Sequence, residues 1–304
     1  MKRTIITAVF CLLGITVSAQ SGQHAMPFVR IDRNPVTAAM AGAGSVSAST
    51  ISYASFGNSA VIPFSVRKFD ISAAYINWSP GELQSSGLFA GAGGRIGDRA
   101  GVSGGIYYSK GAEYERFGEN GKYEGVSSPE EFMLSGGFAY RLTDNISAGV
   151  NLYYAGQTLG STMGAFAGDI AVAYRLGGLN LSAGVKSLGS SVTTDGGAYS
   201  LPASVNAAAA WKTQFAEIHG LELAFDGDCF LNGGISAAAG VQYAFRDMLF
   251  LRAGAHLASD TAPVASYAAL GCGVKFSGLH IDAAWLTANE IMGNSIAVGI
   301  GYCF

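Results

Sequence analysis

The sequence predicts an all-β protein, a 14-stranded antiparallel transmembrane β-barrel with an N-terminal hatch-like segment, and three observations carry that prediction. The last stretch alternates: Ile296, Val298, Ile300, Tyr302 and Phe304 share one face, and Ser295, Ala297, Gly299, Gly301 and Cys303 the other. A large apolar face backed by a small one suits a wall with lipid outside and a crowded lumen inside. Charged residues make up only 13% of the chain and glycines number 43, about half and about twice the usual shares. Mean hydropathy is nevertheless +0.30, without any run of the roughly 18 apolar residues that a membrane-spanning helix needs. The third observation is the parity of the connections, described below.

Taken in order, residues 1–19 read as a secretory signal peptide. Lys2 and Arg3 precede an apolar run from Ile5 to Val17, and Val17-Ser18-Ala19 offers a small-x-small cleavage site before Gln20. Cys11 follows Phe10 rather than a small residue, which argues against a lipid anchor. Residues 20–68 form the hatch- or plug-like segment, and 69–304 the barrel. Strand-patterned runs occupy 69–78, 87–96, 101–109, 132–142, 146–154, 165–176, 179–188, 204–212, 221–228, 235–245, 248–257, 267–276, 279–285 and 295–304.

Tight-turn chemistry at Gly97-Asp98-Arg99, Thr143-Asp144-Asn145, Gly177-Gly178, Arg246-Asp247 and Ser277-Gly278 follows the second, fourth, sixth, tenth and twelfth runs. The link after the eighth, Thr213 to Gly220, reads as somewhat longer. Connections after odd runs are mostly longer, the largest running from Lys110 to Glu131. Bacterial outer-membrane barrels have an even strand count, short periplasmic turns and longer outer loops. The parity therefore predicts an outer-membrane protein with both termini periplasmic.

The two faces differ in kind. Outward fall Tyr75, Phe138, Leu152, Ile170, Leu181, Phe225, Leu251 and Ile281; inward fall Ser103, Ser135, Gly149, Asn151, Ser182, Asn206 and Gly240. Tyr140, Tyr174, Trp211, Tyr243 and Tyr302 stand near the ends of descending runs, where an interfacial girdle belongs. A soluble β-sandwich would turn its large residues in and its charges out; here charges share a face with Gly and Ser.

Before the first run the chain reads Phe28-Val29-Arg30-Ile31-Asp32-Arg33-Asn34-Pro35, then Met40-Ala41-Gly42-Ala43-Gly44, and later Asn58-Ser59-Ala60. In this segment, and in the Leu201-Pro202-Ala203-Ser204 lead-in to the eighth run, the chain resembles the PorV/PorQ branch of the FadL-like barrels. Asn58-Ser59-Ala60 takes the place of that branch's Asn-Pro-Ala element, with Ser59 departing from the Pro. The resemblance implies a hatch folded into the periplasmic side of the barrel. Residue sizes give a compatible reason: inward positions are so small that the wall alone underfills the lumen, and Met26, Phe28, Val29, Ile31 and Met40 suit the space. The C-terminal Tyr302 and Phe304 resemble the signal presented to the barrel-insertion machinery, which makes that machinery an expected partner alongside outer-membrane lipid.

Two charged groupings stand out. Arg95, Arg141, Arg175, Lys212 and Lys275 each lie just before a short turn and form a basic ring at the periplasmic mouth, expected to be paired or solvated. The functional alternatives are holding acidic hatch residues, attracting an anion or docking a partner. Asp169, Glu222, Asp226 and Asp228 face the lumen, where pairing with Lys186 or Arg252 is expected in preference to a cation site.

No catalytic constellation is legible. His280 and Asp282 share an inward face without a nucleophile beside them, and the Gly91-Ala92-Gly93-Gly94 stretch lacks the following helix of a phosphate loop. The expectation is a non-enzyme with no cofactor and no metal. The mature cysteines Cys229, Cys272 and Cys303 are odd in number and lack metal-like spacing. A net charge of −3 gives no case for nucleic acid.

The PorV/PorQ resemblance implies an accessory role in type IX-like protein secretion or surface attachment, through partners in a secretion complex or secreted cargo. The alternatives are a FadL-like transporter of a small hydrophobic ligand and a structural outer-membrane protein.

Overall fold

Inside a membrane every peptide group must find its partner within the protein, so strands are stable there only as a closed ring. Fourteen strands form that ring: β1 (Phe69–Trp78), β2 (Ser85–Ile96), β3 (Ala100–Gly111), β4 (Glu130–Arg141), β5 (Ile146–Leu159), β6 (Ser161–Leu176), β7 (Leu179–Gly189), β8 (Ser204–Phe215), β9 (His219–Phe230), β10 (Ile235–Phe245), β11 (Leu249–Ala258), β12 (Tyr267–Phe276), β13 (Leu279–Ala288) and β14 (Asn294–Cys303). The computed structural model describes residues 24–47, 50–78, 85–117, 120–194, 197–288 and 294–304, so the signal-peptide reading of 1–19 lies outside the described residues. Each strand pairs antiparallel with its neighbours, and β1 closes on β14 from Asp70↔Cys303 to Asn77↔Ile296. The ring itself leaves no open edge to pair with another chain.

The outer face is a belt of large apolar groups. Leu152, Phe166, Ile170, Leu251 and Ile300 are each at least half exposed there. In water such a belt would be an aggregation surface; against lipid it costs nothing. Among the described residues no helix is long and apolar enough to cross a membrane.

The strands run beyond several sequence-read boundaries. The connection after β8 shrinks to residues 216–218, as short as its neighbours, because the pairing continues to Phe215↔His219. Arg246 and Asp247 both take left-handed φ, 55° and 52°, which suits the mirror-image turn of a right-twisted hairpin. Two long connections carry hairpins of their own: Tyr114–Phe117 with Tyr123–Ser127, and Val192–Thr194 with Gly197–Tyr199.

The segment before β1 threads the lumen from end to end. At the long-loop rim a His24 ring nitrogen lies 3.2 Å from the Thr261 carbonyl, and the Ala25 N–H donates to Ser200 at 3.0 Å. At the short-turn rim the Arg95 guanidinium donates to the Ser65 carbonyl at 2.8 Å. Between them lie three 3₁₀ turns (Pro27–Arg30, Ile51–Phe56, Ser59–Phe64) and one α-turn, α1 (Pro35–Ala38).

The described chain therefore begins and ends at opposite rims: Phe304 accepts from the Lys68 N–H at the short-turn end. The wall is glycine-lined along its whole height, so backbone fits throughout. A Cβ on Gly254, Gly93 or Gly149 would stand 2.3, 2.2 or 2.4 Å from backbone atoms of Met40, Ile51 or Ala60.

Candidate functional site

The lumen is held at three levels, mostly by polar groups that the wall strands turn inward. Nearest the long loops, Arg30 Nη2 donates to Asp228 Oδ1 at 2.6 Å, with both side chains largely buried. Ser204 and Asn206 also donate to Asp228, at 2.6 and 3.2 Å. Below it, the N–H groups of Gly44 (2.7 Å) and Ser45 (3.3 Å), with the Ser45 hydroxyl, donate to Asp226. Glu222 accepts from the Ser47 hydroxyl and pairs with Lys212 at 3.2 Å.

Three acids of β9 thus hold three successive points of the threaded segment. Asp228 takes Arg30 and Glu222 takes Lys212 as direct ion pairs, Lys186 sets its charge beside Asp169, Asp226 and Asp228, and Arg252 donates to Asp282 at 2.7 Å. Asp169 answers the wall itself, accepting from the Ser187 N–H at 2.7 Å and from Asn151 at 3.3 Å.

Asn58-Ser59-Ala60 sits against β3–β5. The Asn58 side-chain oxygen Oδ1 accepts from the Ala60 N–H at 3.0 Å, capping the turn. The Ser59 hydroxyl donates to Asn151 Oδ1 at 2.5 Å and lies 3.2 Å from that of Ser103. A Cβ on Gly137 would stand 2.1 Å from Ser59 Oγ.

The five basic residues at the short turns are all half-buried. Arg95 and Arg175 donate to the Ser65 and Phe64 carbonyls, at 2.8 and 2.5 Å, and clamp the segment where it leaves the lumen. Arg141 lies 5.6 Å from the Phe64 ring centroid and donates to its own turn. Lys212 and Lys275 pair with Glu222 and Asp247. Every member of the ring is engaged, with carbonyls of the threaded segment rather than its acids as the partners of two.

Sequence reading missed Arg33. Its buried guanidinium donates to the carbonyls of Phe28 (2.7 Å), Ile31 (2.7 Å) and Val29 (3.2 Å) and lies 4.6 Å from the Tyr107 ring centroid. Burial lowers its pKa, with charge from Tyr107, Glu131 and Asp32 acting the other way. Burial raises that of neighbouring Asp32, which hydrogen bonds from Thr37 and Asn34 offset in part. The one available signal was an Arg-Ile-Asp-Arg run within an otherwise apolar, small-residue leader.

Three spaces among the described residues bear on function. A luminal cavity of about 180 Å³ lies beside the segment, bounded by Ile31, Met133, Phe230 and Tyr267 and by Lys186, Asp226 and Asp228. A second, about 570 Å³, opens at the short-turn rim. The third is a groove of about 820 Å³ on the outer face, walled by Leu134, Leu152, Tyr154, Phe166, Ile170 and Leu188.

Behind that groove the wall is irregular. Pairing of β6 with β7 steps from Gly168↔Leu188 to Ile170↔Val185, so Asp169 faces both Lys186 and Ser187. Ser187 takes a left-handed φ of 57°. This is a β-bulge half-way along β6. Tyr153 and Asp169 line the luminal cavity and the outer groove alike.

Neither a protein-family profile nor a curated protein matches the sequence. Solved structures do. The toluene transporter TbuX of Ralstonia pickettii aligns with a TM-score of 0.64 at 14% identity, over 89% of this chain and 97% of that one. The fold is that of the FadL-like outer-membrane barrels. The Pseudomonas putida toluene transporter TodX gives 0.60 at 16% identity, over 94% and 99%. A Pseudomonas aeruginosa FadL homologue gives 0.53 at 13%, over 88% and 98%.

Proposed function

We propose that this protein is a FadL-like outer-membrane conduit for a small hydrophobic molecule, with the threaded segment as its hatch and the short turns periplasmic. One observation carries the reading: Tyr153 and Asp169 alone are shared between the luminal cavity and the lipid-facing groove, at the one β6–β7 register step. A solute entering from the long loops meets the cavity first. The polar segment and its clamps oppose onward passage along the axis, whereas the bulge offers a short way through the wall. The toluene and hydrocarbon channels of the same fold favour this class of solute over a protein cargo. The reading assigns the chain no catalysis.

Uptake of a radiolabelled monoaromatic by cells lacking other such channels tests it. A Gly136→Phe variant fills the groove without a clash, since a Cβ at Gly136 meets nothing within 4 Å. Wild-type protein is expected to restore uptake and the variant to abolish most of it at equal folded abundance. Uptake that is absent with both, or equal in both, sinks the lateral route.

A second reading, a PorV/PorQ-type accessory to protein export, is favoured by the Tyr114–Phe117/Tyr123–Ser127 hairpin, which exposes Phe117, Tyr123 and Val126 beyond the rim. Aromatic groups of this kind suit protein contact. Affinity purification from the native envelope separates the two: stoichiometric secretion components support export, and a lone barrel carrying a hydrophobic ligand supports the conduit.

A further inference from the structure

The barrel closes where β14 meets β1, and one side chain from each of β1, β13 and β14 converges there on the lumen side. Asp70 faces Cys303 directly across the seam, and His280 lies opposite Gly301 on the next rung. Gly301 leaves the room this needs: a Cβ there would stand 2.4 Å from His280 Nε2. The Asp70 carboxylate, His280 imidazole and Cys303 thiol each bring one donor atom within 4.8 Å of the others. His280 Nε2 and Asp70 Oδ1 are 3.4 Å apart. Ligands about 2.0–2.3 Å from a tetrahedral zinc stand about 3.3–3.8 Å from each other, so this pair is already at that spacing.

We propose that Asp70, His280 and Cys303 bind one Zn²⁺ ion, which staples the closing seam of the barrel. Three features argue for a metal rather than a plain cluster of polar groups. The donors are of three kinds, N, O and S, a set that selects a borderline-soft divalent ion over Mg²⁺ or Ca²⁺. His280 is oriented as a ligand: its Nδ1 lies 3.1 Å from Asp282 Oδ2, and Asp282 is itself fixed by Arg252 at 2.7 Å. A carboxylate behind the distal ring nitrogen is the usual support of a zinc histidine, leaving Nε2 to face the ion. Finally, Asp70 is fully buried and its Oδ2 accepts no hydrogen bond, with the Arg67 guanidinium 3.5 Å away. That oxygen is held by the charge of Arg67 alone, so the carboxylate keeps unused capacity to accept.

The ion has a way in. His280 and Asp282 line the short-turn cavity of about 570 Å³, and Cys303 is half-exposed beside the rim. An ion held there ties the first strand to the last two, at the pairing that closes the ring.

The test uses tag-free full-length protein folded in detergent and titrated with Co²⁺, then Zn²⁺. One Co²⁺ per chain is expected, with thiolate-to-cobalt charge-transfer absorption that Zn²⁺ abolishes. Cys303→Ser is expected to lose that absorption and weaken binding at least tenfold, while Cys229→Ser and Cys272→Ser, on exposed positions, retain both. Zn²⁺ is expected to raise the unfolding temperature of wild type but not of Cys303→Ser. Heat-modifiable gel mobility confirms that each variant is folded. Should His280→Gln fail to fold, the cysteine set alone still decides. Absence of stoichiometric binding at micromolar metal overturns the proposal, as does binding without a thiolate band. A band that survives in Cys303→Ser overturns it equally. Those outcomes leave His280 as a structural contact between Asp70 and Asp282, 3.4 and 3.1 Å away.

Discussion

The backbone N–H of Ser187 donates to the Asp169 carboxylate across 2.7 Å, so that a side chain stands in for a missing rung of the β6–β7 ladder. A wall in lipid has no water to satisfy such a group. Asp169→Ala is expected to leave it unpaired at a cost of about 1–3 kcal/mol, concentrated in β7 rather than spread over the barrel. Hydrogen exchange at residues 186–189 should rise by tenfold or more while β12 and β13 stay protected. Asp169→Asn retains an acceptor oxygen and should stay close to wild type. Unchanged exchange in the alanine variant means that something other than Asp169 closes the bulge.

At Gly149 the wall meets the backbone of the turn capped by Asn58. A Cβ there would lie 2.4 Å from the Ala60 nitrogen and 2.8 Å from its Cα, backbone atoms that no rotamer change can move. Gly149→Val is therefore expected to lift residues 59–60 off the wall, by about 1–3 kcal/mol of overpacking, while suiting the strand itself. Conductance in a planar bilayer reads the result: small or absent for wild type, with larger and flickering openings for the variant. A silent variant would show that the segment stays seated without this contact.

How much of this was legible follows from the range of each interaction. Alternation from Ser295 to Tyr302 depends only on which face meets lipid, so it survives in the sequence, and the short turns at Gly177-Gly178 and Arg246-Asp247 carry their own φ requirements. The Lys186–Ser187 bulge was not legible, because the two residues read as an ordinary inward and outward pair until Asp169 is placed opposite both. Arg30 and Asp228 are separated by 198 residues, and no local pattern couples them. Lys186 and Arg252 share the wall with the acids, so alternation brings them to notice. The threaded segment adds donors of its own, which alternation in the wall does not register.

Asp32 makes the cavity sensitive to pH. Burial raises its pKa, against opposing charge from Arg33 and Lys186. A carboxyl raised in the folded state binds its proton more tightly there than in the unfolded chain. Its contribution is thus complete below the ordinary carboxylate range and is lost as pH rises through the folded value. Protection of the amides at residues 28–34 should accordingly fall as pH rises from about 4. Asp32→Asn should flatten that dependence. A slope of the opposite sign would mean that Asp32 is held ionised by its neighbours.

The Arg30–Asp228 contact tests whether the upper end of the segment is held by charge or merely by fit. Both side chains are largely buried, at 11% and 13% exposure, and Asp228 keeps Ser204 and Asn206 as donors when Arg30 is removed. Removing one partner of a buried pair leaves an uncompensated charge and costs about 3–5 kcal/mol. The two remaining donors and the adjoining cavity should hold Arg30→Met to about the lower end of that range. Asp228→Asn alone strands the guanidinium in turn, although it lies 5.2 Å from the Phe230 ring centroid and keeps that contact. In the double variant neither charge is stranded, so its loss should be smaller than the sum of the singles. Hydrogen exchange at residues 28–31 across the four-protein cycle measures the coupling directly. Additive losses would show that the pair contributes no net attraction and that Phe28 and Val29, both buried, seat the segment by packing alone.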